Sequence, residues 1–261
     1  MIVPAPSLAA FLAARPLSRV HHGNGRHDSA TSTVVVHPWV LGSRRVSSGR
    51  QRPHRRSPRR LGLYMQDFSS SAYWNKLYTG EDDAAEEAVT EWHVTADALI
   101  APLDRLLGYP ADDKELEIMN IGCGTSTLWA SMYDRGWRNI TNIDFAQACI
   151  DQGPALSADR PGVRWLVMDA CNLTFDDATF DAAVDKGTLD AIACSEAFDW
   201  FLPRMARSIV RVLRPGGIWV CVSFTPPDLA LPLLECTEWQ VEVERLDNFW
   251  MYVGRKGANH A

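Results

Sequence analysis

A short apolar run, Ile118-Met119-Asn120-Ile121, breaks at Gly122-Cys123-Gly124, and a later run, Asn142-Ile143-Asp144, ends on a carboxylate. A strand, a Gly-x-Gly turn, a helix and a second strand closed by an acid constrain the fold more than any other stretch of the chain. Such a unit belongs in an open α/β sheet with a crevice at the carboxyl ends of its strands. Backbone amides line one wall of that crevice, and an acid on the other can hold both hydroxyls of a ribose. The expected ligand contains adenosine. The bland alternative is a tight turn that binds nothing.

A dinucleotide fold places a third glycine three residues on, where the pyrophosphate meets the helix N-terminus. Thr127 stands there instead. Its presence argues against NAD or FAD and suits a ligand without pyrophosphate. S-adenosylmethionine is one.

From residue 67 onward the pattern is regular. Tyr73–Tyr78 reads as one or two helical turns stopped by Gly80. A helix is predicted from about Ala88 to Leu107, with Val89, Trp92, Ala96, Leu99, Leu103 and Leu106 at 3-4 spacing. Strands are predicted at Glu115–Ile121, Asn139–Asp144, Val163–Met168, Phe180–Asp185 and Gly217–Phe224, with helices starting near Thr125, Ala146 and Phe198. This alternation implies a parallel sheet covered on both faces. After Pro226-Pro227 come a short helix at Asp228–Glu235 and an alternating pair, Trp239–Leu246 and Phe249–Val253, that reads as a β-hairpin. The predicted fold is therefore α/β, a Rossmann-like seven-stranded sheet of five parallel strands plus a C-terminal antiparallel hairpin.

Charge divides the chain. Residues 1–66 hold eleven arginines, no lysine and a single acid, Asp28. From Asp67 on there are 15 basic and 31 acidic residues, a net charge of −16. An Arg- and Ser-rich, acid-poor leader is expected to be a disordered transit peptide, for a mitochondrion in preference to a plastid. Two alternatives stay open: a retained basic tail, or translation from Met65 and a cytoplasmic protein. Residues 67–261 form the expected folded domain. The six cysteines include no Cys-x-x-Cys pair. They read as buried thiols, with no metal site expected. No apolar run approaches the roughly 20 residues of a membrane span. Neither a membrane nor a nucleic-acid partner is expected, and the domain is expected to act as a monomer.

Four motifs carry a family resemblance over about Tyr73 to Gly254. They are Tyr73-Trp74-x-x-x-Tyr78, Glu91-Trp92, Ile121-Gly122-Cys123-Gly124 and Asp185-Lys186-Gly187-Thr188-Leu189-Asp190-Ala191. In them the chain resembles the class I S-adenosylmethionine-dependent methyltransferases. Within these it is most similar to the seven-β-strand lysine methyltransferases of translation elongation factor 1-alpha and of citrate synthase. Asp228-Leu229-Ala230-Leu231-Pro232 and Phe249-Trp250-Met251-Tyr252 look more like the mitochondrial citrate synthase branch.

The resemblance implies S-adenosyl-L-methionine as cofactor and a set of residue roles. Gly122, Cys123 and Gly124 would form the loop over its methionine moiety. Asp144 would hold the ribose, with Phe145 beside the adenine; Asp169 and Ala170 would take the adenine amine and a ring nitrogen. Trp74, Tyr78 and Trp92 would close over a sulfonium, which suits aromatic faces. Lys186 would lie at the cofactor's edge through its backbone or stem, and Asp185 would stand next to the transferable methyl and guide the acceptor amine. Plainer roles stay open: Trp74 and Trp92 as core aromatics, Asp144 or Asp169 as a cap, Lys186 as a snorkelling lysine, and Asp190 as a helix cap or a catalytic group.

Methyl transfer from a sulfonium needs alignment and exclusion of water more than acid–base machinery. The acidic charge of the second part suits a protein substrate with a basic patch, citrate synthase or elongation factor 1-alpha by resemblance. A small-molecule methyltransferase and a non-catalytic cofactor-binding protein are the alternatives.

Overall fold

The computed structural model describes residues 68, 70–80, 91–108, 115–236 and 238–258. The expected transit peptide lies outside them.

Helices α1 (Ser71–Thr79) and α2 (Ala96–Leu107) precede strand β1 (Glu117–Ile121). There follow α3 (Leu128–Arg135), β2 (Asn139–Asp144), the short α4 (Gln147–Ile150) and α5 (Gly153–Leu156), and β3 (Val163–Val167). Next come β4 (Phe180–Lys186), α6 (Thr188–Ala193), α7 (Phe198–Val212) and β5 (Leu213–Ser223). The chain ends in α8 (Pro227–Leu234), β6 (Trp239–Leu246) and β7 (Phe249–Lys256).

The strands form one seven-stranded sheet in the order β3-β2-β1-β4-β5-β7-β6. β1 to β5 pair in parallel, and β7 runs antiparallel to both β5 and β6. The direction of winding reverses between β1 and β4, and ligands of such sheets bind at that switch point. The predicted fold stands, hairpin included.

Strand periodicity sorts the core into two layers. Met119, Ile121, Ala183 and Cys221 pack on one face beneath α7 and α8, whereas Ile118, Ala182, Val184 and Val222 pack on the other beneath α2 and α3. Helix α7 carries Leu202, Met205, Ala206, Ile209 and Val210, all buried, at the 3-4 spacing that turns one stripe to the sheet. A third cluster joins Trp74 of α1 to Cys123, Ala146, Cys149 and Ile150. It sets α1 over the carboxyl edge of the sheet, and the Asn75 side-chain oxygen accepts the Ala148 N–H at 2.8 Å to hold it there.

Several predicted boundaries move, for local reasons. The helix expected from Ala88 begins at Ala96: Glu91–Thr95 is irregular, with His93 at φ 67°. Trp92 therefore sits on a turn and not on a helix face. The helix expected near Thr125 starts at Leu128, because Ser126 and Thr127 bond instead to the Glu91 carboxylate. Helix α6 was not predicted. Strand β5, expected from Gly217, begins at Leu213 and runs through Arg214-Pro215-Gly216, with a register shift between Phe180 and Ala182 of the neighbouring strand.

Candidate functional site

One cleft opens at the carboxyl edge, at the switch point. Eleven residues singled out in the sequence line it together: Trp74, Tyr78 and Trp92, then Gly122, Cys123 and Gly124, Asp144 and Phe145, Asp169 and Ala170, and Lys186.

The loop after β1 depends on its glycines for reasons within the protein. Gly122 and Gly124 have φ of 56° and 48°, in the left-handed region. A Cβ on Gly122 would lie 1.9 Å from Thr188 Oγ1, and one on Gly124 would lie 2.8 Å from the Tyr78 hydroxyl. Thr188 in turn donates to the Ile121 carbonyl at 3.1 Å. The turn is thus pinned between β4's exit and α1.

Asp144 ends β2, 5% exposed. Its Oδ2 accepts the Gly124 N–H at 3.0 Å and its Oδ1 the Ala146 N–H at 2.9 Å. Burial pushes its carboxyl above the usual range, against those two backbone donors. Asp144 therefore caps the next segment and clamps the glycine loop in one arrangement. Asp169 forms a turn after β3, its Oδ1 accepting the Cys171 N–H at 2.8 Å and its carbonyl the Asn172 N–H at 2.9 Å. Burial also raises the Tyr78 hydroxyl well above its ordinary value, with the Asp144 carboxylate adding to the effect.

Trp74 stacks on Tyr78 at 5.8 Å and meets Trp92 edge-on at 5.9 Å. Its indole N–H donates to the Phe68 carbonyl at 2.8 Å. These rings form a continuous wall above the loop.

Lys186 neither snorkels nor offers only its stem. It is 8% exposed, and its Nζ donates to the Trp92 carbonyl at 3.0 Å and pairs with Glu91 at 2.8 Å. Glu91 also accepts from the Thr127 N–H and hydroxyl, each at 2.8 Å, and from Ser126. One carboxylate ties the Glu91–Thr95 segment, β4 and the N-terminus of α3 together.

Asp185 departs from expectation. It is fully buried and does not line the cleft. Oδ1 accepts the Thr188 N–H at 2.9 Å, while Oδ2 is buried without a partner among the described residues. Burial pushes its carboxyl up to about 7.

Of the two acids in the Asp185–Ala191 heptad, the one that lines the cleft is Asp190, on α6. It accepts from Ser223 Oγ at 2.7 Å, Thr225 Oγ1 at 2.8 Å and the Phe224 and Thr225 amides at 3.1 Å, and its Oδ2 meets His93 Nε2 at 2.5 Å. Gly187 caps α6, so Asp190 is no N-cap. Sequence reasoning passed over His93 entirely, although it directly follows the Glu91-Trp92 motif. Phe224 packs against the His93 ring at 4.6 Å and gives its amide to Asp190, and Leu229 lines the same cleft.

Comparison with known proteins follows the same lines. The family described as "Methyltransferase domain" matches residues 119–221. The human eEF1A lysine and N-terminal methyltransferase is 32% identical over 189 residues, covering 70% of this chain and 26% of that protein. Methyltransferase srdJ of Neurospora crassa is 31% identical over 169 residues, covering 62% of this chain and 68% of the relative. The chain spans about a quarter of the length of the eEF1A methyltransferases it matches. Among solved structures, a Burkholderia thailandensis 1,6-didemethyltoxoflavin-N1-methyltransferase with S-adenosylhomocysteine bound superposes with a TM-score of 0.51. It is 20% identical and covers 77% of this chain and 93% of its own, a likeness of fold.

Proposed function

The chain belongs to the class I S-adenosylmethionine-dependent methyltransferases, with S-adenosylmethionine as cofactor, and we propose that its acceptor is a lysine side chain of a protein. Three features of the cleft suit the cofactor. A carboxylate has about four acceptor positions, and the Asp144 side chain uses two on Gly124 and Ala146. The glycine loop presents backbone where side chains would intrude. Trp74, Tyr78 and Trp92 offer ring faces to a cation. Asp144 would hold the ribose hydroxyls, Phe145 and Ala170 would flank the adenine with Asp169 at its amine, and Gly122–Gly124 would bear on the amino-acid tail. When bound, the cofactor supplies an electrophilic methyl group on a sulfonium.

The observation that carries the lysine reading is an acid in the cleft. Asp190 accepts the Phe224 amide at 3.1 Å and lines the cleft together with Trp92 and Phe224, an acid beside aromatic rings that draws in an ammonium while the rings strip away water. The net charge of −16 from Asp67 onward adds steering toward a basic patch, weakening with salt. The resemblance to eEF1A lysine and N-terminal methyltransferases, and to the citrate synthase branch, nominates two acceptors. Incubating the full chain with methyl-labelled cofactor and either purified protein tests this. Label on a lysine of one of them is expected; label confined to a small-molecule fraction of a lysate would instead make it a metabolite methyltransferase. We also propose that residues 1–66 direct the protein to a mitochondrion. A fluorescent protein fused after residue 66 is expected to collect there, and a diffuse signal would refute it.

A further inference from the structure

His93 has three properties that holding a cofactor leaves unused. Its backbone is at φ 67°, a conformation rare outside glycine and concentrated at functional sites. Its ring is buried, stacked on Phe249 at 5.2 Å and tilted against Phe224 at 4.6 Å, yet it lines the cleft. Its Nδ1 is buried with no hydrogen-bond partner among the described residues. An unpaired buried ring nitrogen is costly, and a native fold keeps one where something else completes it.

Asp190 decides which nitrogen carries the proton. The other groups around its carboxylate, Ser223, Phe224 and Thr225, are donors. The carboxylate therefore acts as acceptor, and His93 Nε2, 2.5 Å from Oδ2, is its donor. In the neutral imidazole that leaves the lone pair on Nδ1. A carboxylate orienting a histidine so that the opposite nitrogen is basic is the division of labour found in hydrolytic triads.

We propose that His93, held by Asp190, is the base that prepares the acceptor amine in this cleft. The inference rests on the amine-acceptor reading above. An ammonium has no free electron pair, so a nitrogen must lose a proton before it can attack carbon. One N–H bond of the ammonium breaks and its pair stays on the substrate nitrogen. The proton bonds to Nδ1, and the new imidazolium charge faces the Asp190 carboxylate. The freed pair then forms the N–C bond to the methyl group as the S–C bond to that methyl breaks, its pair staying on sulfur so that S-adenosylhomocysteine is the leaving group, and the proton on His93 leaves to solvent. Lysine ordinarily has a pKa near 10.4 and histidine near 6.5, so in water the transfer runs uphill. Aromatic walls that disfavour a desolvated ammonium narrow the gap, and the proton arrives on a ring whose other nitrogen Asp190 already holds at 2.5 Å. The ionisable groups around the dyad are Glu91 on its own segment, Asp185 and Lys186 on β4, Cys194 after α6, Cys221 on β5 and Tyr252 on β7.

The test uses the full chain in two ways. Nitrogen-15 NMR of the histidines, with S-adenosylhomocysteine present, should show His93 protonated at Nε2 and unprotonated at Nδ1, and n-butylamine should shift the Nδ1 signal. An Nδ1–H tautomer, or no response to the amine, overturns the proposal even if no protein acceptor has been found. His93→Phe keeps the ring stack and His93→Gln keeps a polar group. Both should fold and bind S-adenosylhomocysteine within about twofold of the parent. Turnover on a protein lysine should fall about 100-fold near pH 7, and the deficit should narrow toward pH 10, where solvent deprotonates the amine. A loss equal at every pH, or no loss, refutes a proton-accepting role. Absence of transfer by the parent chain to any lysine would instead remove the lysine reading, leaving the NMR result to decide the dyad.

Discussion

Replacing Glu91 by glutamine should weaken the fold far more than an average change at a partly exposed position. The Glu91 side chain is 18% exposed and that of Lys186 only 4%. Removing the charge strands a buried ammonium on the single Trp92 carbonyl. Breaking a buried pair from one side costs about 3–5 kcal/mol. Glutamine still offers an oxygen to Thr127 or Ser126, recovering about 1 kcal/mol per neutral hydrogen bond. The net cost is therefore about 2–4 kcal/mol. At about 2–4 °C per kcal/mol for a domain of this size, Tm should drop by roughly 4–16 °C. Calorimetry of both proteins, with Lys186→Met and the double variant, completes the cycle. The double variant should be less destabilised than the two single changes added together, because it strands no charge.

The same pair has a pH signature. Burial raises the Glu91 carboxyl, but the Lys186 ammonium and the Thr127 donors outweigh it and hold the group below the ordinary glutamate range. A depressed acid contributes stability in full above its unfolded value, near 4.3, and loses it as pH falls through the folded value. The glutamine variant should lack that acid limb. A Tm within about 2 °C of the parent, with an unchanged acid limb, would show that the Glu91–Lys186 contact contributes nothing measurable.

Three further outcomes follow from the site. Asp144→Ala should lower affinity for S-adenosylhomocysteine by 10-fold or more, through loss of charge-assisted bonds of about 1.5–3 kcal/mol each; calorimetry should also detect no binding of NAD, and binding of NAD alone would contradict the family assignment. Gly122→Ala meets both a left-handed φ and a 1.9 Å approach to Thr188, so urea unfolding should show a loss of about 3 kcal/mol or more, and a neutral result would mean the loop relaxes freely. Asp185→Asn should leave turnover within about threefold but alter the pH dependence of stability. The parent's folded carboxyl, at about 7, lies above its unfolded value, so its contribution is full below about pH 4 and is lost as pH rises to about 7. The variant should gain on the parent across that window and no further; a collapse of turnover in a stably folded variant would place Asp185 in the reaction after all.

What the sequence could reveal follows from how far apart the interacting residues lie. The glycine loop and Asp144 were legible because a strand–turn–helix–strand unit fixes their meeting within one stretch of chain, and the hairpin was legible because Trp239–Leu246 alternates on its own. His93 and Asp190 are 97 residues apart, and Lys186 is 94 from Trp92; no local period announces such pairs. The same long-range contacts misplaced the start of α2. Glu91, Trp92 and His93 have helical spacing to their neighbours, yet their side chains are claimed by Thr127, Trp74 and Asp190, and tertiary bonds outweigh a weak local preference.

Asp185 is a different case, since alternation alone could have corrected it. In a central strand successive side chains take opposite faces. Ala183 packs in the layer with Ile121 and Cys221, and Val184 packs in the other. Asp185, level with Ile121 and Cys221 across its neighbouring strands, falls in Ala183's layer. Its side chain had to enter the core, whatever motif it belonged to. One turn into the next helix, free of the strand's parity, Asp190 is the acid of the same heptad that reaches the cleft. A motif names residues that act together, and the periodicity of the element beneath it decides which of them faces the substrate.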